Sequence, residues 1–370
     1  MKKIGVVTYW NSEENYGQIL QIFALQYCLR QKDCYPFLIK HSLTVTDTKS
    51  ESFLKRLIKL FSSYPKLRDS IKRRLFGIKK KEQISITDRH FKEFKDKYIE
   101  SPSKIYSYQD LLNNPPKADG YIAGSDQIWN FPNPVFLLNW VDDKISRLSY
   151  AASFGSPSAP AYLLKEYKKS LSKFKLISVR EKSGVKICSK MGIKAEHVLD
   201  PTLLLLKNDY LNLFNIHNNS YKKSYIFLYL LGNKCTIDLY YLKRYADDND
   251  LDVVFVPSQN FKAESFIPTY PTIEEWLSLI ANAELVITNS LHGTVFSILF
   301  ERLFYTVLLK GRDNKMNERI ISLFADFKLF RSYNNHIDLT EKIDYAEVHN
   351  LLNEKRQNSF NYLDKIITQI

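Results

Sequence analysis

With 370 residues the chain is longer than one hydrophobic core usually organises, so two domains are expected. Its 45% hydrophobic and 25% charged residues, with 24 Tyr and 23 Phe, exclude a mainly disordered chain. The net charge of +13 is concentrated between Lys55 and Lys81, where eleven Lys or Arg face Asp69 alone; no nucleic-acid-binding motif accompanies it, so no nucleic acid partner is expected.

The opening MKKIGVVTYWNSEE turns polar at Asn11, too soon for a signal peptide. No later run approaches the roughly 20 apolar residues of a membrane span, and a cytoplasmic protein is expected. Residues 3–9 predict a strand, 10–16 a loop, 17–31 a helix and 35–41 a second strand, a βαβ opening. A basic insertion follows over about 45–85. Within it Leu54, Leu57, Ile58 and Phe61 share one helical face under a cationic one. That pattern suits a solvated helix packed on its own domain, or peripheral contact of residues 53–81 with the anionic inner face of the cell membrane. A helix is predicted at about 88–98, then a strand in DGYIAGSDQIWN. RLSYAASFG, KFKLISVREKSG and HVLDPTLLL each hold a short apolar run that ends in small, polar or charged residues.

Residues 206–224 show little order and serve as the predicted linker. The alternation then restarts with SYIFLYLLGN as a strand, 236–249 as a helix and LDVVFVPS as a strand. It continues through TIEEWLSLIANA, ELVITN, LHGTVFSILFER, LFYTVLLK and MNERIISLFADF as helix, strand, helix, strand and helix. Continuous apolar strands are those of parallel sheets buried on both faces. The fold class is therefore α/β, with two doubly wound domains facing across a cleft: residues 1–205 and 220–345, followed by two C-terminal helices over 346–370 that return toward the first domain.

No GxGxxG follows a strand and no GxxxxGK occurs, which removes support for nicotinamide or ATP chemistry. Cys28, Cys34, Cys188 and Cys235 show neither CxxC spacing nor clustering with histidine, so no metal site and no disulfide framework is expected. Asn15 precedes the first helix, where free N–H groups at Tyr16, Gly17 and Gln18 favour an anion or a hydroxyl-rich ligand, or where Asn15 is simply a cap. Gly17 would allow a close approach. In GSDQIWN, Ser125, Asp126 and Gln127 follow a buried strand. Asp126 could take the proton of a sugar hydroxyl while Gln127 and Trp129 grip the ring, or it could cap the next turn. Arg180 ends a buried strand, where a guanidinium needs a substrate anion or a structural acid such as Glu181 or Asp200. In TNSLHGTVFSILF, Ser290 caps a helix whose first turn carries His292 beside Gly293, able to hold or pass a proton once a phosphate arrives, or packed as a core histidine. Asn317 and Arg319 open a later helix and could reach the same anion.

Together TYWNSEENYGQILQIFALQ, IAGSDQIWN, SYAASFG, SVREKSG, VLDPTLLL and TNSLHGTVFSILF, in this order, resemble the polysaccharide pyruvyl transferase family over about residues 4–325. The resemblance implies two Rossmann-like domains similar to B-type glycosyltransferases, and phosphoenolpyruvate as co-substrate with no cofactor. It also implies an acceptor sugar on a cell-surface polysaccharide (capsule or exopolysaccharide) or a lipid-linked oligosaccharide precursor. Donor-binding positions then fall on Arg180, Ser290, Gly293, Thr294, Asn317 and Arg319, with His292 for acid/base work. Acceptor-binding positions fall on Asn15, Tyr16, Gly17, Gln18, Ser125, Gln127 and Trp129, with Asp126 as the second catalytic group. Ser290 stands where many members carry Arg, so Arg319, Lys310 or Arg312 must supply that charge. A nucleotide-sugar glycosyltransferase and a non-catalytic glycan-binding protein are the alternatives, and the sequence leaves the oligomeric state open.

Overall fold

The computed structural model describes residues 1–42, 88–216, 223–232, 237–258, 265–333 and 336–370. The predicted basic helix and residues 53–81 lie outside them, as does Cys235. In chain order the first half contains β1 (Lys2–Val7), α1 (Tyr16–Arg30), β2 (Cys34–Leu38), α2 (Phe91–Tyr98), α3 (Tyr108–Asn113), β3 (Gly120–Ala123) and β4 (Ser146–Ser149). It continues through α4 (Ala161–Leu171), β5 (Ser178–Val179), α5 (Lys182–Lys190), β6 (Glu196–His197) and α6 (Lys207–Leu213). The second half contains β7 (Tyr225–Leu230), α7 (Leu239–Asp248), β8 (Asp252–Pro257), α8 (Ile273–Ala281), β9 (Leu285–Thr288), α9 (Leu291–Leu299), β10 (Leu303–Thr306) and α10 (Glu318–Phe327). The last helix is α11 (Tyr345–Thr368).

Each half is built on a parallel sheet, ordered β2-β1-β3-β4 in the first and β10-β9-β7-β8 in the second. Parallel bridges Leu148–Leu176 and Ala152–Val179 carry the first sheet on toward the β5–β6 pair. All residues of YIFLYL, LVIT and GYIA are buried, the pattern of strands covered on both faces. The protein is thus an α/β molecule of two Rossmann-like halves.

The halves are joined by a plug of aromatic side chains. Tyr16, at the start of α1, stacks on Trp276 of α8 with ring centroids 4.9 Å apart, meets Tyr229 of β7 edge-on, and donates its hydroxyl to Pro271 O at 2.7 Å. Arg89 lies over the Tyr16 and Tyr270 rings and donates to Pro257 O. Among the described residues no helix is long and apolar enough to cross a membrane.

Two sequence expectations differ from the structure. The predicted linker over 206–224 contains α6, whose first turn is fixed by Asp209 accepting from the Leu206 N–H at 2.7 Å and whose Tyr210 is fully buried. Exposed Asn208 and Asn212 alternate there with buried Tyr210, a short amphipathic helix. The two C-terminal helices are one, α11, 24 residues long. The Arg356 guanidinium is buried on its packed face, donating to Leu203 O at 2.9 Å and Leu205 O at 3.2 Å. Further along, Ser359 accepts from Leu199 N and Tyr362 donates to Ser149 O, so the helix lies along the first half.

Candidate active site

Carboxyl ends of parallel strands from both halves open onto one space, the usual place for ligands in open α/β sheets. β1 runs into the loop before Asn15, β3 into Ser125 and Asp126, β5 into Arg180, β6 into Asp200 and β9 into Ser290.

Asp200 is the hub. Its Oδ1 caps the 3-10 turn Pro201–Leu203, accepting from the Thr202 N–H at 3.0 Å and the Thr202 hydroxyl at 2.7 Å. Its Oδ2 accepts from Arg180 Nη1 at 2.7 Å and Ser125 Oγ at 3.2 Å, and lies 3.4 Å from His292 Nε2. Burial alone would raise its pKa; the charges and hydrogen bonds of His292 and Arg180 outweigh this and hold the carboxyl well below the usual carboxylate range. Arg180 also donates Nε to Glu181 Oε1 at 3.0 Å. Burial works against its charge, but Glu181, Asp200 and Asp126 outweigh it and raise its pKa. Its Nη2 is buried without a hydrogen-bond partner. Arg180 lines a cavity of about 20 Å³ together with Asp200, Arg319 and Asp326, enough for about one water.

A far larger cavity, about 590 Å³, shares Leu291 and Arg319 with the small one. That is the size range of small-ligand sites. Its two walls differ in chemistry. The second half contributes Leu231, Ser290, Leu291, His292, Lys315, Met316 and Arg319, which include every basic side chain of the lining. The first half contributes amides at Asn15, Gln18, Gln127, Asn130 and Asn133 and rings at Tyr9, Trp129, Phe131, Phe154, Tyr162 and Tyr167; Asp126 is its single charge.

Arg319 is half-buried, and burial followed by the like charge of Arg180 pushes its pKa down to about 10. Two guanidiniums so placed are relieved by an anion. α9 adds its N-terminus, with Ser290 Oγ capping the Gly293 N–H at 3.3 Å. Asp126 is held at φ 73°, a left-handed conformation that Asp tolerates better than most residues. Its backbone oxygen accepts from Ile128 N at 2.8 Å and Ser153 N at 3.0 Å, and Oδ1 accepts from Gln127 N at 2.8 Å. These bonds pin the loop and fix the carboxylate, whose charge reaches both Arg180 and Arg319.

The predicted residues separate into three groups. Asn15, Gln18, Asp126, Gln127, Trp129, Ser290, His292 and Arg319 line the large cavity. Arg180 and Ser125 sit behind it, bound to Asp200. Tyr16, Gly17, Gly293, Thr294 and Asn317 are absent from its wall. Tyr16 fills the second-half core. Thr294 Oγ1 donates to Ser290 O and meets Thr306 Oγ1, and the Asn317 amide exchanges two hydrogen bonds with the Leu309 backbone. Asn15 does cap α1, accepting from Gln18 N at 3.2 Å. Lys310 is exposed away from the cavity, and the Arg312 side chain lies outside the described set.

Across residues 15–307 the sequence matches the family model for polysaccharide pyruvyl transferases. The chain belongs to the polysaccharide pyruvyl transferase family. It is thus an enzyme of this type. No curated protein matches it. Among solved structures, MnaA of S. aureus, in a co-structure with UDP, is 12% identical and aligns with 100% of this chain and 98% of its own at a TM-score of 0.50. A Listeria monocytogenes protein named provisionally as a UDP-N-acetylglucosamine 2-epimerase is 8% identical, with 95% and 90% covered, at a TM-score of 0.50. At such identities the likeness is one of fold, and it places this pyruvyl transferase in the two-Rossmann architecture.

Asp200, Lys315 and the wall rings other than Trp129 were not singled out as site residues from sequence. A signal for Asp200 existed: Asp before Pro at a strand end, in a motif that also carries the family resemblance.

Proposed function

We infer that this pyruvyl transferase takes the pyruvyl group of phosphoenolpyruvate onto two hydroxyls of one sugar in a cell-surface polysaccharide or its lipid-linked precursor, forming a ketal and releasing phosphate. The observation that carries this reading is the polarity of the 590 Å³ cavity, basic along one wall and uncharged with amides and rings along the other. A small polyanion matches the first wall and a neutral polyhydroxyl ring the second.

The chemistry follows from those positions. A proton from His292 adds to the methylene carbon of phosphoenolpyruvate, leaving a cation at the adjacent carbon. A sugar hydroxyl attacks that carbon while Asp126 accepts its proton. Phosphate then departs with the electron pair of its C–O bond and takes up the proton that Asp126 accepted, and the second hydroxyl closes the ketal, its proton returning to the imidazole. Nε2 faces Asp200, so Nδ1 is the nitrogen assigned to this exchange. Arg319, Lys315 and the start of α9 hold carboxylate and phosphate. Arg180, for which the resemblance implied a donor-binding position, supports His292 through Asp200 in this reading.

Arg319→Ala is expected to raise the KM for phosphoenolpyruvate about 10- to 100-fold, the worth of one charged hydrogen bond. Steady-state kinetics with the donor varied measures it. Asp126→Asn should behave in the opposite way, lowering kcat by about 10²-fold or more while leaving that KM unchanged or lower, because a negative charge beside Arg319 is removed. A thermal-shift series settles the donor class: stabilisation by phosphoenolpyruvate and none by UDP is expected. The reverse result would transfer support to a nucleotide-sugar donor.

A further inference from the structure

Gly17 lies in the first turn of α1, where glycine costs about 1 kcal/mol relative to alanine. Its backbone is helical, so no turn or left-handed conformation requires it. What requires it is the neighbour. A Cβ built on Gly17 would fall 2.0 Å from Nδ1, 2.1 Å from Cγ and 2.4 Å from Cβ of His292, the tightest approach at any described glycine. Because the histidine's own Cβ is among the obstructing atoms, rotating the ring alone does not clear the overlap. On its other side the imidazole turns Nε2 toward Asp200 at 3.4 Å.

We propose that Gly17 is a positioning residue for His292: the bare α-carbon forms one side of a slot whose other side is Asp200, and the slot aims the imidazole into the cavity between Asn15, Gln18 and Leu291. The proposal rests on His292 as the proton carrier. It assigns Gly17 no contact with substrate; the residue works by excluding every side chain from the space the ring occupies. α1 belongs to the first half and α9 to the second, so the slot also registers the two halves at the point where donor and acceptor meet.

The test is a cycle of Gly17→Ala, His292→Ala and the double variant, read by melting temperature, kcat, and ¹⁵N–¹H correlation of the imidazoles, with the His292 signals assigned by their loss in His292→Ala. Gly17→Ala is expected to shift the His292 imidazole signals, lower kcat about 10²-fold or more, and lower the melting temperature. Added to His292→Ala, the same methyl should cost markedly less stability than in the wild-type background, since the ring atoms at 2.0 and 2.1 Å are gone and only the Cβ of residue 292 is left to give way. If Gly17→Ala alone fails to fold while the double variant folds, the overlap is demonstrated just as well. Unchanged imidazole signals in Gly17→Ala, or an equal loss of stability in both backgrounds, would overturn the proposal. Wild-type turnover in His292→Ala would instead overturn the proton-carrier reading while leaving the spectroscopic and stability results to judge the slot.

Discussion

In the His292→Ala variant, pyruvyl transfer is expected to fall by about 10²- to 10⁴-fold, the range for removing a proton-transfer group. The fold should survive. Asp200 keeps Arg180, Ser125 and both Thr202 donors when the imidazole is gone, so no carboxylate is left buried and bare. The phosphoenolpyruvate KM should change far less than kcat, because Arg319, Lys315 and the α9 N-terminus remain. Phosphate release and donor titration on the folded variant check both statements. A loss confined to KM would mean that His292 holds the donor rather than passing a proton.

Asp200→Asn carries the second large effect, on stability. Arg180 would keep Glu181 alone, with Nη2 already unpartnered, and His292 would lose the charge it faces. Breaking a buried ion pair by removing one partner costs about 3–5 kcal/mol, and denaturant unfolding measures it. The pH dependence has a definite sign. The Asp200 pKa is depressed in the folded state, so the wild-type protein binds fewer protons there than when unfolded. Its advantage over Asp200→Asn is therefore complete above the ordinary Asp value of about 4 and shrinks as pH falls toward the depressed value. A gap that widened in acid would contradict the assignment of the carboxylate as the charged hub. Activity should fall as well, since Asp200 orients His292.

Much of this was legible in the sequence because it depends on local rules. Strands such as YIFLYL and LVIT are continuous apolar runs, as buried parallel strands must be, and the end of LVIT leads into Ser290 and His292 of the cavity wall. Ser290 as the cap of a histidine-bearing helix followed from residue types alone. What the sequence left open involved partners far apart in the chain. For Arg180 the sequence left a substrate anion or a structural acid such as Glu181 or Asp200 open, and the resemblance implied the donor; the side chain pairs with both acids, one of them 20 residues away, while Arg319 and Lys315 line the cavity. Tyr16 sits beside cavity-lining Asn15, but one step of helix turns its ring into the core of the other half. Gly17 was expected to admit a ligand or backbone; the close neighbour is a side chain, His292, 275 positions later. The burial of Arg356 on the packed face of α11 depends on the Leu203 and Leu205 carbonyls, about 150 residues earlier, and is readable only once those partners are known.

The proposed donor and the proposed role of His292 are tested together by incubating the enzyme with ¹³C-labelled phosphoenolpyruvate and a lipid-linked or free glycan, then following label and phosphate. The expected result is label bound to the sugar as an acid-labile ketal, an equal amount of phosphate released, and neither in His292→Ala. Label remaining in phosphoenolpyruvate across a broad glycan panel, or transfer at wild-type rate without His292, would contradict the account.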